Sequence, residues 1–348
     1  MLETLALAEG GRGWVEPNPM VGALVIRDGQ VIASGYHTGF GNAHAEVAAL
    51  EDCRRRGINP AGATMVVNLE PCSHQGKTPP CTEALIKAQI GELIVAMEDP
   101  FVSVAGRGLS RLREAGVNVL VGVAEAEARR LNAPYLKRLA TRLPWVIVKW
   151  AQTVDGKIAT ATSRSKWISG EASRRRVHEL RGRVDAVMVG VGTVIADDPQ
   201  LTARGVEVRR VARRVVIDPN RRMPSRAKLA IQTQPPVMVG SDPQQLLRQL
   251  ADEGATNVLV EGGAKLFGSL FEAELVDQVL VFIAPRVAGD RSALDAVCGL
   301  RMPMVADAQR LDLVAAERIG DDVMLDYLVR KEPPERSARL PMDRDQQP

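Results

Sequence analysis

Aromatic residues are scarce in this chain: Phe, Trp and Tyr make up 3% of its 348 residues. So few rings cannot stack successive bases along a strand, which counts against single-stranded nucleic acid as a partner. Net charge is scarce too. The 45 basic and 42 acidic side chains leave +3, too little to coat a phosphate backbone, although clustered arginines can still hold one small phosphorylated molecule. No apolar run reaches membrane-spanning length, and Met1-Leu2-Glu3 lacks the basic start of a signal peptide. Neither membrane nor nucleic acid is therefore expected. Cysteine is limited to four residues, which excludes a disulfide scaffold and fits a reducing cytoplasm. Cys53 and Cys298 read as small hydrophobes.

What is present is concentrated. His44-Ala45-Glu46 is followed by Pro71-Cys72 and then Cys81. One imidazole and two thiolates suit Zn²⁺, and three protein ligands leave a fourth position open to water. Water on zinc ionises near neutral pH. Glu46, two residues beyond the His, is placed to move a proton from such a water to a leaving amine. His-x-Glu with Pro-Cys and a further Cys is the pattern of zinc-dependent base deaminases, in which the Glu is acid/base and not ligand. The departure is the spacing: residues 73–80 separate the cysteines, where common nucleoside deaminases have two. A purely structural zinc site would leave Glu46 idle.

Length allows two domains. Apolar runs at 21–26 and 31–36 flank Arg27-Asp28-Gly29-Gln30, a hairpin signal. Helical spacing over 44–56 precedes a short β-rich run at 64–69, and Cys81 opens a second helix. Strands at 93–97 and 117–121 enclose a helix at 109–115, and 125–142 reads as one helix with charged faces. This predicts an α/β/α unit with His44 and the cysteines near two helix N-termini, which favour thiolates. Pro144 breaks the pattern. Beyond it, strands at 145–150, 186–191, 214–217, 237–239, 258–260, 279–284 and 324–329 alternate with helices, predicting a mostly parallel, doubly covered sheet. Proline and charge dominate from 331 on, which predicts a disordered tail. The expected division is 1–143, 144–330 and 331–348.

The run Pro71-Cys72-Ser73-His74-Gln75-Gly76-Lys77-Thr78-Pro79-Pro80-Cys81 resembles the zinc segment of the bifunctional riboflavin-biosynthesis deaminase/reductase family, where the long cysteine spacing is the norm. Pro17-Asn18-Pro19-Met20-Val21-Gly22, Gly35-Tyr36-His37, Ala96-Met97-Glu98-Asp99-Pro100 and Val104-Ala105-Gly106-Arg107-Gly108 fit the same family in order. Ala43 stands where that family usually has Pro. The resemblance implies a cytidine-deaminase-like α/β fold in which Asn18, His37, His74, Lys77 and Thr78 line a pyrimidine nucleotide pocket. Read without it, His37 is equally a turn histidine, Lys77 a solvated lysine and His74 a spare metal ligand.

In the second half, Lys149-Trp150-Ala151-Gln152-Thr153-Val154-Asp155-Gly156-Lys157-Ile158-Ala159 resembles the opening of the reductase part of that family, which is similar in fold to dihydrofolate reductase. Thr153 replaces its usual Ser. Residues 165–169 and 192–204 continue the match. The resemblance implies NADPH contacts at Ala151, Trp167, Thr193, Asp197 and the turn Gly263, Ala264, Lys265, Leu266. It implies substrate contacts at Ser165, Arg181, Leu201, Arg204 and Glu261. Gly262-Gly263 is not a Gly-x-Gly-x-x-Gly fingerprint and reads equally as a tight turn. Arg181 and Arg204 suit a sugar phosphate, since guanidinium pairs bidentately with its oxygens. Lys149 is a candidate to polarise the ribosyl carbonyl or imine as hydride arrives. Arg174-Arg175-Arg176 and Arg209-Arg210 read as solvated faces.

The implied activity is Zn²⁺-dependent deamination of 2,5-diamino-6-(5-phosphoribosylamino)pyrimidin-4-one, then NADPH-dependent reduction of its ribosyl unit. The expected partner is this small phosphorylated pyrimidine, and the expected state is a cytoplasmic homo-oligomer. Two rivals remain: a nucleic-acid-editing zinc deaminase with an appended domain, which does not account for residues 192–204, and a non-enzymatic zinc-binding regulator, which does not account for Glu46.

Overall fold

The computed structural model describes residues 1–73, 79–101, 104–160, 167–231, 235–301 and 304–331. His74, Lys77, Thr78, Ser165 and all of the expected tail but Lys331 lie outside the described residues.

Five strands form the first sheet: β1 (Gly22–Arg27), β2 (Gln30–Tyr36), β3 (Thr64–Val67), β4 (Glu92–Val95) and β5 (Asn118–Val121). Their order is β2-β1-β3-β4-β5. β1 runs antiparallel to β2 and β3, whereas β3, β4 and β5 are parallel. The sheet is covered on both faces. On one, Val25, Met65, Val67 and Leu93 pack against helices α2 (Ala45–Arg55), α3 (Cys81–Lys87) and α4 (Arg107–Glu114) through Ala49, Leu85 and Leu112. On the other, α1 (Leu2–Ala8) contributes Leu5 and Ala8 to a cluster with Leu69 and Met97.

Two motif glycines are explained by close approach. A Cβ at Gly35 would lie 2.4 Å from Ala49 N, so only glycine lets α2 sit directly on β2. A Cβ at Gly108 would lie 2.1 Å from Pro71 O, which brings the start of α4 against the segment carrying Cys72.

The single helix expected over 125–142 is two, α5 (Glu125–Leu131) and α6 (Ala133–Thr141). Pro134 stands in the first turn of α6, where its missing N–H cannot serve a helix arriving from α5. Asn132 between them turns its amide outward: Nδ2 donates to Met20 O at 3.0 Å and Oδ1 accepts from Met20 N at 2.8 Å.

The second sheet takes β6 (Trp145–Thr153), β8 (Ala186–Gly190), β9 (Arg213–Ile217), β10 (Met238–Gly240), β11 (Asn257–Val260), β12 (Gln278–Ala284), β14 (Leu311–Ile319) and β15 (Asp322–Val329). A separate ribbon pairs β7 (Lys157–Ala159) with β13 (Leu294–Asp295). The large sheet runs β10-β9-β8-β11-β6-β12-β15-β14. It is parallel from β10 to β12, and β15 and β14 are antiparallel additions. Strand β14 was not expected. It carries a bulge between Leu313 and Ala315, which breaks the period-2 alternation by which a strand is read. Helices α7 (Glu171–Arg181), α8 (Val191–Asp197), α9 (Lys228–Ile231), α10 (Pro243–Asp252) and α11 (Ala264–Glu272) accompany this sheet. Along β8, Met188 belongs to a cluster with Leu247 and Phe267, while Val187 and Val189 belong to the opposite cluster with Leu229. Burial of alternate residues on both faces is what a central parallel strand requires. Among the described residues no helix is long and apolar enough to cross a membrane.

The two sheets are joined by buried charge. Asp277, 2% exposed, accepts from Lys137 Nζ of α6, from Val146 N at 2.8 Å and from Lys331 Nζ at 2.6 Å. The Arg209-Arg210 pair, expected to be solvated, also crosses: Arg209 donates to Arg12 O at 3.0 Å, and Arg210 to Glu16 O at 2.9 Å and Asp185 Oδ1 at 2.5 Å. Carbonyls exposed by the turns at 10–16 attract both guanidinia out of water.

Asp277→Asn would leave the Lys137 ammonium buried without its counter-ion. The expected outcome is a loss of about 3 kcal/mol of unfolding free energy, the scale for breaking a buried pair. The urea midpoint measures it, and an unchanged midpoint would show that the junction draws its stability elsewhere.

Candidate active sites

Helix geometry assembles the first site. His44 is the N-cap of α2, and Cys81 is the first residue of α3. The ligand atoms of His44, Cys72 and Cys81 all lie within 4.8 Å of one another. His44 Nδ1 is 3.3 Å from Cys81 Sγ and 3.5 Å from Cys72 Sγ, and Cys81 N donates to Cys72 Sγ at 3.4 Å. Hydrogen bonds from the Cys81 thiol and from His44 draw Cys72 down to about 4 against the effect of burial. The bond to Cys72 pushes Cys81 up. A site that already stabilises one thiolate, with a second thiol and an imidazole facing it, fits Zn²⁺. Glu46 follows on the first turn of α2, 3% exposed. Burial pushes its carboxyl up to about 7, with the Cys72 thiolate adding to the shift. That value suits a group that must both accept and return a proton.

His44, Cys72 and Glu46 open on a cavity of about 370 Å³ that Asn18, His37, Asp99, Phe101, Tyr135 and Arg138 also line. His37 is engaged within the chain. Its Nδ1–H donates to Ala43 O at 3.0 Å, and its Nε2 accepts from Asn18 Nδ2 at 3.2 Å, a tautomer assigned from the network. Burial lowers its pKa, so it stays neutral. His37 thus orients Asn18 and the residue before His44.

Sequence reasoning missed Glu70. Its carboxylate accepts from Asp99 N at 3.2 Å, Gly106 N at 2.9 Å and Gly108 N at 2.9 Å. It fastens the loop after β4 to the zinc segment. Its place directly before Pro71-Cys72 was the available signal. Tyr135 and Arg138 were missed because α6 lies far along the chain from the zinc motif.

In the second half, Glu261 at the end of β11 is the centre. Arg181 forks onto it at 2.5 and 2.9 Å, and Lys149 Nζ is 3.1 Å from Oε2. Burial alone would raise the Glu261 carboxyl, but the charges of Arg181 and Lys149 outweigh it and hold the group at about 2. Arg181 is therefore already committed to a carboxylate, which limits it as the phosphate clamp expected above. Arg204 is exposed and, among the described residues, bonds neutral oxygens, Gln200 Oε1 at 3.2 Å and Thr202 Oγ1 at 2.8 Å. Thr202 O receives Arg181 at 3.3 Å and faces His178 Nδ1 at 3.1 Å. Leu201, buried with φ +53°, sets this loop in a conformation rare for leucine.

Thr193 and the Gly262-Gly263 turn meet: a Cβ on either glycine would lie 3.4–3.5 Å from Thr193 Oγ1. Ala264, Lys265 and Leu266 open α11, Asp197 closes α8, and Ala151 lies on β6 beside Phe282 of β12. Trp167 is exposed, but Arg174 stacks on it at 4.7 Å and donates to Ser169 O at 2.7 Å. Arg174 is thus no freely solvated arginine.

Fold and donor set together define a cytidine-deaminase-like zinc domain followed by a reductase domain. Residues 1–97 match the cytidine and deoxycytidylate deaminase zinc-binding region, and residues 144–325 match the RibD C-terminal domain. The riboflavin biosynthesis protein RibD of Actinobacillus pleuropneumoniae is 37% identical, the alignment covering 94% of each chain. That of Escherichia coli is 36% identical over 93% of this chain and 97% of the other. A Thermotoga maritima diaminohydroxyphosphoribosylaminopyrimidine deaminase/5-amino-6-(5-phosphoribosylamino)uracil reductase superposes with a TM-score of 0.85 at 34% identity, covering 95% of this chain and 97% of that one. The chain belongs to the RibD family of riboflavin biosynthesis proteins.

A carboxylate depressed from 4.5 to about 2 contributes stability in full above its unfolded pKa and loses it as pH falls through its folded one. The margin by which the unmutated chain exceeds Glu261→Gln in urea stability should therefore be constant above about pH 5 and narrow towards pH 2. A margin that does not move with pH would mean that Glu261 is not held ionised.

Proposed function

We propose that the first cavity is the deaminase site, within residues 1–143, and that the Lys149–Arg181–Glu261 cluster marks the reductase site, within 144–330. The chain is a bifunctional enzyme of riboflavin biosynthesis, a zinc-dependent deaminase and an NADPH-dependent reductase. The observation that carries the residue assignment is the convergence of His44, Cys72 and Cys81 on one point, at the wall of a cavity that His44, Cys72 and the buried Glu46 line.

Its substrate is the diaminopyrimidine nucleotide, 2,5-diamino-6-(5-phosphoribosylamino)pyrimidin-4-one. His44, Cys72 and Cys81 hold Zn²⁺, which supplies the Lewis acidity that makes water nucleophilic at neutral pH. Glu46 would carry one proton of the attacking water to the ring nitrogen and then the second, from the hydroxyl left on the ring carbon, to the departing amine, which leaves as ammonia. Asn18, set by His37, reads the ring edge, and Lys77, Thr78 and His74 complete the pocket. In the second site NADPH supplies the hydride. Thr193, Asp197, Trp167, Ala151 and the turn Gly263, Ala264, Lys265, Leu266 seat it. Lys149 polarises the ribosyl carbonyl or imine, Glu261 holds sugar hydroxyls and positions the Lys149 ammonium, and Arg204, Ser165 and Leu201 receive the phosphorylated chain. Arg181 fixes Glu261 and reaches the phosphate only as that pair loosens. We also infer a cytoplasmic homo-oligomer. Leu313 and Val314, exposed by 57% and 38% on edge strand β14, support the self-association.

The test is purified protein with the diaminopyrimidine nucleotide, with and without NADPH, both products resolved. Glu46→Gln should keep about one zinc per chain and lose deamination by several orders of magnitude, yet still oxidise NADPH when given the uracil intermediate. Cys72→Ser should lose metal and deamination together. Full ammonia release by metal-free protein would refute the assignment.

A further inference from the structure

One wall of the deaminase cavity is built by α6, which lies beyond the stretch matched by the zinc-binding region. Tyr135, Arg138 and Leu139 line it, and their i, i+3, i+4 spacing places them on a single helical face. The same helix is fastened to the second sheet. Lys137 pairs with Asp277, and Arg138 Nη2 reaches Ala251 O at 3.4 Å. Tyr135 donates to Asp99 at 2.9 Å, fixing the helix against the loop after β4.

The charge of this lining is lopsided. Glu46, Glu70 and Asp99 face the cavity, and among its described residues Arg138 is the only lysine or arginine. Arg138 is half-buried, and no carboxylate pairs with it among the described residues. A phosphorylated ligand entering beside three carboxylates needs a cation, and a guanidinium whose side-chain partner among the described residues is one long bond to a carbonyl retains donors for it.

Resting on the reading of this cavity as the deaminase site, we propose that Arg138 recognises the 5-phosphate of the pyrimidine nucleotide and so makes deamination selective for the phosphorylated substrate. The deaminase would then owe part of its specificity to the helix that leads into the reductase half.

The experiment compares the diaminopyrimidine nucleotide with its phosphate-free nucleoside as ammonia-releasing substrates, in the unmutated full chain, Arg138→Gln and Arg138→Lys. Gln keeps a donor for Ala251 O and removes the charge; Lys keeps the charge and loses the fork. For Arg138→Gln, KM for the nucleotide should rise roughly 10- to 100-fold, the scale of a charged hydrogen bond, with kcat little changed and KM for the nucleoside unmoved. Arg138→Lys should recover part of the loss. Equal losses with both substrates would overturn the proposal in favour of a purely structural role for Arg138, and no loss would overturn it outright. Absence of ammonia release from either substrate in the unmutated, zinc-loaded chain would instead refute the deaminase reading itself. NADPH oxidation with the uracil intermediate, run on the same preparations, reports whether each variant is folded, and Arg138→Lys carries the comparison if Arg138→Gln is not.

Discussion

The relation between the two sheets depends on one nine-residue helix and the polar groups that hold it. α6 is separated from α5 because Asn132 spends its side-chain amide on the backbone of Met20 and because Pro134 cannot extend a helix from upstream. Freed from α5, it meets the second sheet through Lys137 and Asp277 and the first through Tyr135 and Asp99. Buried pairs of this kind contribute little net stability over apolar packing, but they penalise any arrangement that leaves one partner alone. The same penalty that makes Asp277 costly to remove makes the docking of the helix specific. Arg209 and Arg210 add a second crossing, from the loop after the Leu201–Arg204 segment to the turns leading into Asn18.

Three buried carboxylates show how surroundings divide one functional group among three tasks. Glu70 is met by backbone N–H groups and acts as a clasp between loops. At Glu46 burial dominates, the Cys72 thiolate adds to it and His44 only partly offsets it, so the proton affinity rises to about 7. The Glu261 side chain is also withdrawn from solvent, 5% exposed, yet two cations reverse the balance and bring it to about 2. Desolvation acts in the same direction at both; the neighbours decide the outcome. A carboxyl near neutrality suits proton transfer, whereas a permanently ionised one suits holding Lys149 and Arg181 in place.

Local chemistry was legible in the sequence where the residues concerned are neighbours along the chain or sit at helix ends. His44, Cys72 and Cys81 meet because β3 and the two helices α2 and α3 leave the same edge of one sheet, and the strand-helix rhythm exposes that. The parallel core of the second sheet was legible through its short apolar runs. Strand β14 was not, because its bulge destroys the alternation. Nor was the break at Asn132, since a proline one turn into a charged helical stretch can end one helix or begin the next, and only the partner at Met20 distinguishes the two. The Arg209-Arg210 pair was misread, and the Arg181–Glu261 pair was not foreseen, for a common reason. An arginine's partner is usually distant in sequence, so composition around it says nothing about whether water, phosphate or a buried carboxylate receives it.

The placement of α6 bears on why the two activities share a chain. Among the described residues of the first sheet and its loops, the deaminase cavity is lined by the carboxylates of Glu46, Glu70 and Asp99 and by no lysine or arginine. The helix supplies Arg138, and in the first half Asn132 at its start, the Tyr135–Asp99 contact and the packing of Leu136 against the Leu5, Ala8 and Met97 cluster hold it. Its far end is fixed by Asp277 and by the carbonyl of Ala251, both belonging to the second half. Asp277 in turn accepts from Val146 N, at the start of the strand that carries Lys149 and Ala151. The wall of one site and a central strand of the other are therefore anchored on the same buried carboxylate.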